Sequence, residues 1–185
     1  HTVYCVDNNK EKIEKLNYGE SPIYEPGLNE LIRENSRANR LFFTSSLSEG
    51  VNKSDIIFIC VGTPTKKNSS SVDLSYVIKA AKEIAKSSKK KKIIVTKSTV
   101  PVGTGDLLEK IFKNKKKFIV ISNPEFLREG EAIRDFIYPD RVIIGTNSKK
   151  ANRILKSLYL PIIKKTSRYF NTSRRGAEMI KYASN

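Results

Sequence analysis

Tryptophan is absent from this 185-residue chain, and histidine and methionine occur once each. A single histidine rules out a multi-histidine metal centre. Cysteine is nearly as scarce. Cys5 and Cys60 each sit inside an apolar run, so they are expected to be reduced, buried core residues rather than a disulfide framework. No apolar run approaches the roughly 20 residues of a membrane span, and no signal-peptide pattern opens the chain. Acidic residues are the minority, 19 against 35 Lys and Arg, for a net charge of +16. The hydrophobic share, 38%, is low but sufficient for one globular α/β domain. A cytoplasmic protein without a membrane partner is the expectation.

The basic excess admits two readings. Clustered cations neutralise nucleic-acid phosphates. Alternatively, the runs Lys89–Lys92 and Lys115–Lys117 are solvated lysines that complement helix C-termini. No aromatic residues alternate with them as a stacking platform would require. The second reading is preferred, and nucleic acid is not expected as a partner.

Strand-like runs alternate with amphipathic stretches. Strands are predicted at 2–6, 41–44, 55–61, 92–96, 118–121 and 141–145, with 55–61 buried on both faces. Helices are predicted at 8–17, 26–40, 47–53, 73–87, 103–112, 149–160 and 173–185, with a short one between 122 and 141. This is the pattern of a doubly wound parallel α/β sheet, Rossmann-like. In such sheets ligands bind beyond the carboxyl ends of the strands. The residues there are Asp7, the Gly62–Thr65 loop, Ser98–Thr99 and Asn123–Glu129.

Each has a plain alternative. Asp7 suits the two hydroxyls of an adenosine ribose, or caps the helix that follows. Thr63, Pro64 and Thr65 suit a phosphate or ribose, or form an ordinary turn. Ser98 and Thr99 place hydroxyls at a strand end, while Thr104 caps the next helix. Glu125 and Glu129 lie four residues apart and would share a face on a helical turn. Beside Phe126 and Leu127, Glu125 is a candidate base; otherwise both acids merely favour a helix N-terminus.

Together these segments resemble the UDP-glucose 6-dehydrogenase family. The matching stretches are Asp7, SPIYEPGLNELI, VGTPT, STVPVGT, NPEFLREGEAIRDFIYPDRVIIG, and Glu178, Lys181 and Asn185 in the pattern E-x-x-K-x-x-x-N. The resemblance implies oxidation of a nucleotide sugar to the uronate with two NAD. In that family an aldehyde is captured on a cysteine, and the resulting thioester is hydrolysed. It assigns Thr99, Glu125, Lys181 and Asn185 to catalysis. It assigns Asp7, Lys12, Thr63, Pro64, Thr65, Ser98, Thr99 and Glu129 to the cofactor. Glu125, Phe126, Leu127, Lys181 and Asn185 would meet the substrate. Neither Cys5 nor Cys60 matches the family's GGSCFPKD-like nucleophile segment. No GxGxxG loop precedes Asp7, so the sheet is expected to lack its first strand, leaving a break between the strands ending at Asp7 and Val61. The reading is a longer, homo-oligomeric enzyme with a truncated NAD-binding domain at 1–172 and the start of an interdomain helix at 173–185. The alternatives are a dehydrogenase for GDP-mannose or UDP-N-acetylmannosamine, or an inactive basic remnant.

Overall fold

The computed structural model describes residues 1–66, 71–112, 118–163 and 168–184. The lysine run 115–117, most of the polar loop 66–71 and Asn185 lie outside the described residues.

The first unit is β1 (Val3–Val6), α1 (Lys10–Asn17), α2 (Leu28–Arg37) and β2 (Leu41–Thr44). β1 and β2 pair in parallel as a two-stranded sheet, Val3 opposite Leu41 through Val6 opposite Thr44. The N-terminus of α1 is satisfied by Asn9, whose side chain accepts from Lys12 N at 3.1 Å. Asp7, the other candidate cap, instead accepts from Asn9 N at 2.9 Å.

α3 (Leu47–Lys53) leads into β3 (Ile56–Ile59), α4 (Ser75–Ser87), β4 (Lys92–Thr96), α5 (Thr104–Phe112) and β5 (Phe118–Ser122). Strands β3, β4 and β5 are parallel and in register. Period-2 alternation divides their side chains between two cores. Ile94 and Val120 face Val77, Ala81, Ile84, Leu108 and Phe112 of α4 and α5. Val95 and Ile121 face Ala151, Leu155 and Tyr159 of α7 (Lys149–Tyr159). The sheet is therefore covered on both sides, as the apolar runs at 92–96 and 118–121 require.

Three findings revise the expectations. Between α6 (Ala132–Ile137) and α7 comes β6 (Arg141–Gly145), which runs antiparallel to β5 through Ser122 opposite Gly145. β7 (Arg168–Thr172) was not anticipated; it pairs in parallel with β6 and gives the sheet order β3-β4-β5-β6-β7. The sheet is therefore mixed rather than wholly parallel. Second, β3 is shorter than 55–61 and mostly half-buried, because β4 is its one partner among the described residues. Third, Cys5 and Cys60 are exposed, not core. Enough protein still surrounds each sulfur that burial pushes both thiols up. β1 and β3 are in separate sheets, which is the break expected between those strands.

The last helix, α8 (Arg174–Ser184), lies across β5, β6 and α5. Gly145 makes the approach possible: a Cβ there would sit 2.7 Å from the Ala177 Cβ. Arg174 bridges Asp106 at 2.9 Å and Glu109 at 2.6 Å, tying the start of α8 to α5.

Candidate active site

Two sets of candidate residues separate in space. The first lies along the carboxyl ends of β1, β3 and β4. Asp7 ends β1 with a partly exposed carboxylate, and Lys12 approaches it at 3.6 Å. The Gly62–Thr65 loop and Ser98–Thr99 are fastened to each other. Thr63 Oγ1 donates to Thr99 O at 2.8 Å, and Ser98 Oγ donates to Val61 O at 2.7 Å. Pro64 O accepts from Asp73 N at 2.8 Å, and Thr65 bridges to Val72. A Cβ on Gly62 would meet nothing within 4 Å, so this rim is open to a ligand. Thr104 is the first residue of α5 rather than its cap, and its hydroxyl donates to Pro101 O at 2.6 Å.

The second set surrounds a pocket of about 690 Å³, within the range of small-molecule sites. Glu125, Phe126, Leu127 and Lys181 line it. Lys181 comes from α8 with only 7% of its surface exposed, and its Nζ lies 3.3 Å from Glu125 Oε1. The other carboxylate oxygen of Glu125 accepts from Leu127 N at 2.6 Å. The Phe126 ring carries Lys181 on one contact (5.2 Å to the centroid) and Arg141 on another (5.3 Å). Such stacking fixes the ring and places two cations beside the pocket.

Residues 123–128 are not helical, so Glu125 and Glu129 do not share a helix face. Asn-Pro stops β5, and the chain continues irregularly to α6. Glu125 enters the pocket; Glu129 is exposed in the turn before Gly130 and is not among the lining residues. Thr99 does not line the pocket either; its carbonyl belongs to the rim. Asn185 falls outside the described residues.

Several groups at or beside the pocket were not anticipated from the sequence. Lys97 lines the pocket, half-buried, with its ammonium 6.0 Å from the Tyr159 ring centroid. Burial pushes it down to about 8; the Lys181 charge acts the same way, while Cys60 and Glu125 oppose it. Its position one residue before Ser98 was the available signal. Tyr159 donates to Asn123 Oδ1 at 2.5 Å, and Asn123 Nδ2 donates to Ile143 O at 2.9 Å. Glu25, in the PIYEPGL stretch, reaches the same region. It accepts from Gly130 N at 3.0 Å and Ile133 N at 3.4 Å, holding the segment that leads from Leu127 into α6. Arg128 and Asp135 pair through two side-chain bonds of 3.0 and 2.7 Å, and the guanidinium holds the Asp135 carboxyl down at about 2.

Glu178 is 2% exposed and closes the N-terminus of α5. It accepts from Gly103 N and Gly105 N, both at 2.7 Å, and from Ser122 Oγ at 3.1 Å. A carboxylate there is favoured by the helix dipole. Among the described residues no group of three His, Cys, Asp or Glu is placed to hold a metal, and no helix is long and apolar enough to cross a membrane.

Residues 1–163 match the family model described as UDP-glucose/GDP-mannose dehydrogenase family, NAD binding domain. A UDP-glucose 6-dehydrogenase of Rhizobium meliloti (strain 1021) is 46% identical over 190 residues, covering 100% of this chain and 44% of the relative. Among solved structures, a UDP-glucose dehydrogenase from Pyrobaculum islandicum superposes with a TM-score of 0.93 at 38% identity, over 100% of this chain and 43% of that one. A GDP-mannose dehydrogenase from Pseudomonas aeruginosa gives 0.92 at 36%, covering 100% and 44%. The chain thus spans less than half the length of each of these three relatives. The chain belongs to the UDP-glucose/GDP-mannose dehydrogenase family, as a NAD binding domain of that family.

Proposed function

We propose that the intact protein oxidises the primary alcohol of UDP-glucose to the carboxylate. The Lys181–Glu125 pair, 3.3 Å apart in the wall of the pocket, is the observation that carries this reading. A half-formed alkoxide or aldehyde oxygen beside Lys181 would meet a buried, already oriented ammonium, which stabilises negative charge as it develops. Glu125, fixed by Leu127 N and Lys181, is suited to take a proton from water and direct it at a carbonyl carbon. Phe126 and Leu127 form the strip along which the nucleotide sugar lies, and the family resemblance assigns Asn185, together with Lys181, to the reacting carbon.

NAD supplies the oxidising power by accepting hydride. The rim fits such a group: Asp7 retains open lone pairs beyond its bond to Asn9 N, and Gly62 leaves room for close approach. Asp7 and Lys12 would hold the adenosine ribose. Thr63, Pro64, Thr65, Ser98 and Thr99 would line the path toward the pocket, and Glu129 is assigned to the cofactor by resemblance. Residues 1–172 form the cofactor domain in this reading, and 173–185 open the helix toward a further domain. The enzyme is taken as cytoplasmic and homo-oligomeric, with no membrane or nucleic-acid partner.

UDP-glucose is preferred over GDP-mannose because the PIYEPGL and PDRVIIG stretches resemble the UDP-glucose branch and the named curated relative acts on UDP-glucose. The test is NADH formation by the full-length protein. UDP-glucose should yield two NADH per sugar and turn over faster than GDP-mannose or UDP-N-acetylmannosamine. Faster turnover of either competitor rejects the substrate, and no turnover with any of the three rejects the activity.

A further inference from the structure

A second, much smaller cavity lies on the other side of Lys181, between the ends of β4 and β5 and the helix α8. It is lined by Thr96, Ser98, Ser122, Pro124, Glu178 and Lys181, with Val100 at its edge. Its volume, about 10 Å³ open to the centre of a water molecule, accommodates one water and nothing larger. Thr96 and Ser122 are register partners on adjacent parallel strands.

The hydrogen-bond inventory around this cavity is incomplete in one place. Thr96 is 2% exposed, and its buried Oγ1 bonds to no protein group. No protein group meets that hydroxyl in a hydrogen bond, although polar groups line the cavity around it. Ser122 Oγ donates to Glu178 Oε1, and Ser98 Oγ donates to Val61 O, so both protons are committed. Each serine oxygen keeps acceptor capacity beyond the bond it donates. Lys181 has three N–H donors, of which one points to Glu125 at 3.3 Å.

We propose that this cavity is a binding site for a single water that bridges Thr96 Oγ1 and Lys181 Nζ. The water accepts from the ammonium and from the threonine hydroxyl, and donates to the open lone pairs of Ser122 and Ser98. Four polar partners surround it, at the upper end of what buried waters make. An anion is disfavoured by the Glu178 carboxylate, and the volume excludes an organic ligand. Lys181 is then held between Glu125 on the pocket side and a bound water behind. Through that water it is joined to the strand ends that Glu178 ties to α5. This site does not depend on which sugar the enzyme uses.

A crystal structure of the full-length protein at about 1.5 Å tests this directly. The expected result is one ordered peak within hydrogen-bond distance of both Thr96 Oγ1 and Lys181 Nζ. In Thr96→Val the peak should vanish or lose most of its occupancy, whereas Thr96→Ser should keep it. A wild-type map with no peak there, or with the Thr96 hydroxyl bonded to a protein atom, overturns the proposal. So does an undiminished peak in Thr96→Val. The wild-type map alone decides the matter if the valine variant does not fold.

Discussion

Glu178 and Lys181 stand one turn apart on α8, both buried, and pair with different elements: Glu178 with the start of α5, Lys181 with Glu125 in the pocket wall. One helix thus anchors itself to the domain and delivers a charge to the site. Glu178→Ala leaves Gly103 N, Gly105 N and Ser122 Oγ without their acceptor. At about 1–3 kcal/mol per buried unsatisfied group, and with Gly103 N only part-buried and the Ser122 hydroxyl free to turn, a loss toward the low end, about 3–5 kcal/mol, is expected in urea melts of the full-length protein. Glu178→Gln, which keeps one acceptor oxygen, should lose about half as much. A loss below about 1 kcal/mol for the alanine variant would show that the anchor is not needed.

Asp7→Ala addresses the cofactor rim. A carboxylate bonded to ribose hydroxyls also repels a 2′-phosphate, and Lys10 and Lys12 are the nearest cations in the following residues. The variant should raise KM for NAD about tenfold or more, and narrow the gap between NAD and NADP. An unchanged KM for NAD would leave Asp7 with its bond to Asn9 N and no cofactor role.

Glu25 belongs to the unit of β1 and β2 by sequence but bonds to Gly130 and Ile133 beside the pocket. Glu25→Ala should free the segment after Leu127. The KM for the nucleotide sugar is expected to rise about tenfold while that for NAD stays within about twofold. Equal rises in both would assign Glu25 to general stability.

Lys97 gives a signed pH effect. Its ordinary value of 10.5 falls to about 8 in the folded chain, chiefly through burial. Below about pH 8 the folded and unfolded chains both hold the proton, and the buried charge costs its full amount. Lys97→Met should then stabilise by about 1–3 kcal/mol, after allowance for partial solvent screening. Between about 8 and 10.5 the folded wild type loses its proton before the unfolded chain does. Wild-type stability therefore rises with pH and the gap closes. Thermal melts at about pH 6.5 and about pH 9.5 should show a clear difference in Tm at the lower value and roughly half of it or less at the higher. A constant or widening difference contradicts the account.

Much of the framework was legible because periodicity and polar punctuation determine it. The bounds of β2, α3, β4 and β6 coincide with those read from apolar runs and flanking Ser, Lys and Gly. Strand direction has no such signature, so the antiparallel turn of β6 was invisible. β7 reads RYFNT, with two polar ends and no continuous apolar run; it is a strand because β6 offers an edge, not because of its own composition. In the candidate site, Glu125 with Phe126 and Leu127 was singled out by its place after a strand, and Lys181 only through a family pattern. Lys97 and Tyr159 were not, since each meets the pocket through tertiary packing, Tyr159 from the last turn of α7. Cys5 and Cys60 looked like core from apolar neighbours, but neighbours in sequence do not reveal which strand edges lack a partner.

The separation of β1 and β2 from the larger sheet has a consequence for motion. A pair of strands is marginal alone and depends on what packs against it. Here α1, α2 and α3 supply that packing, with Val6 lying against Gly50 of α3. By contrast, β4 and β5 each have two neighbouring strands and helices on both faces. Backbone amides of Ile94, Val95 and Ile121 should therefore exchange with solvent only in near-global opening. Those of β1 and β2 should exchange through smaller excursions. Within residues 1–185 the strand pair that leads to Asp7 is then the part that breathes, beside a central sheet that is the last to open.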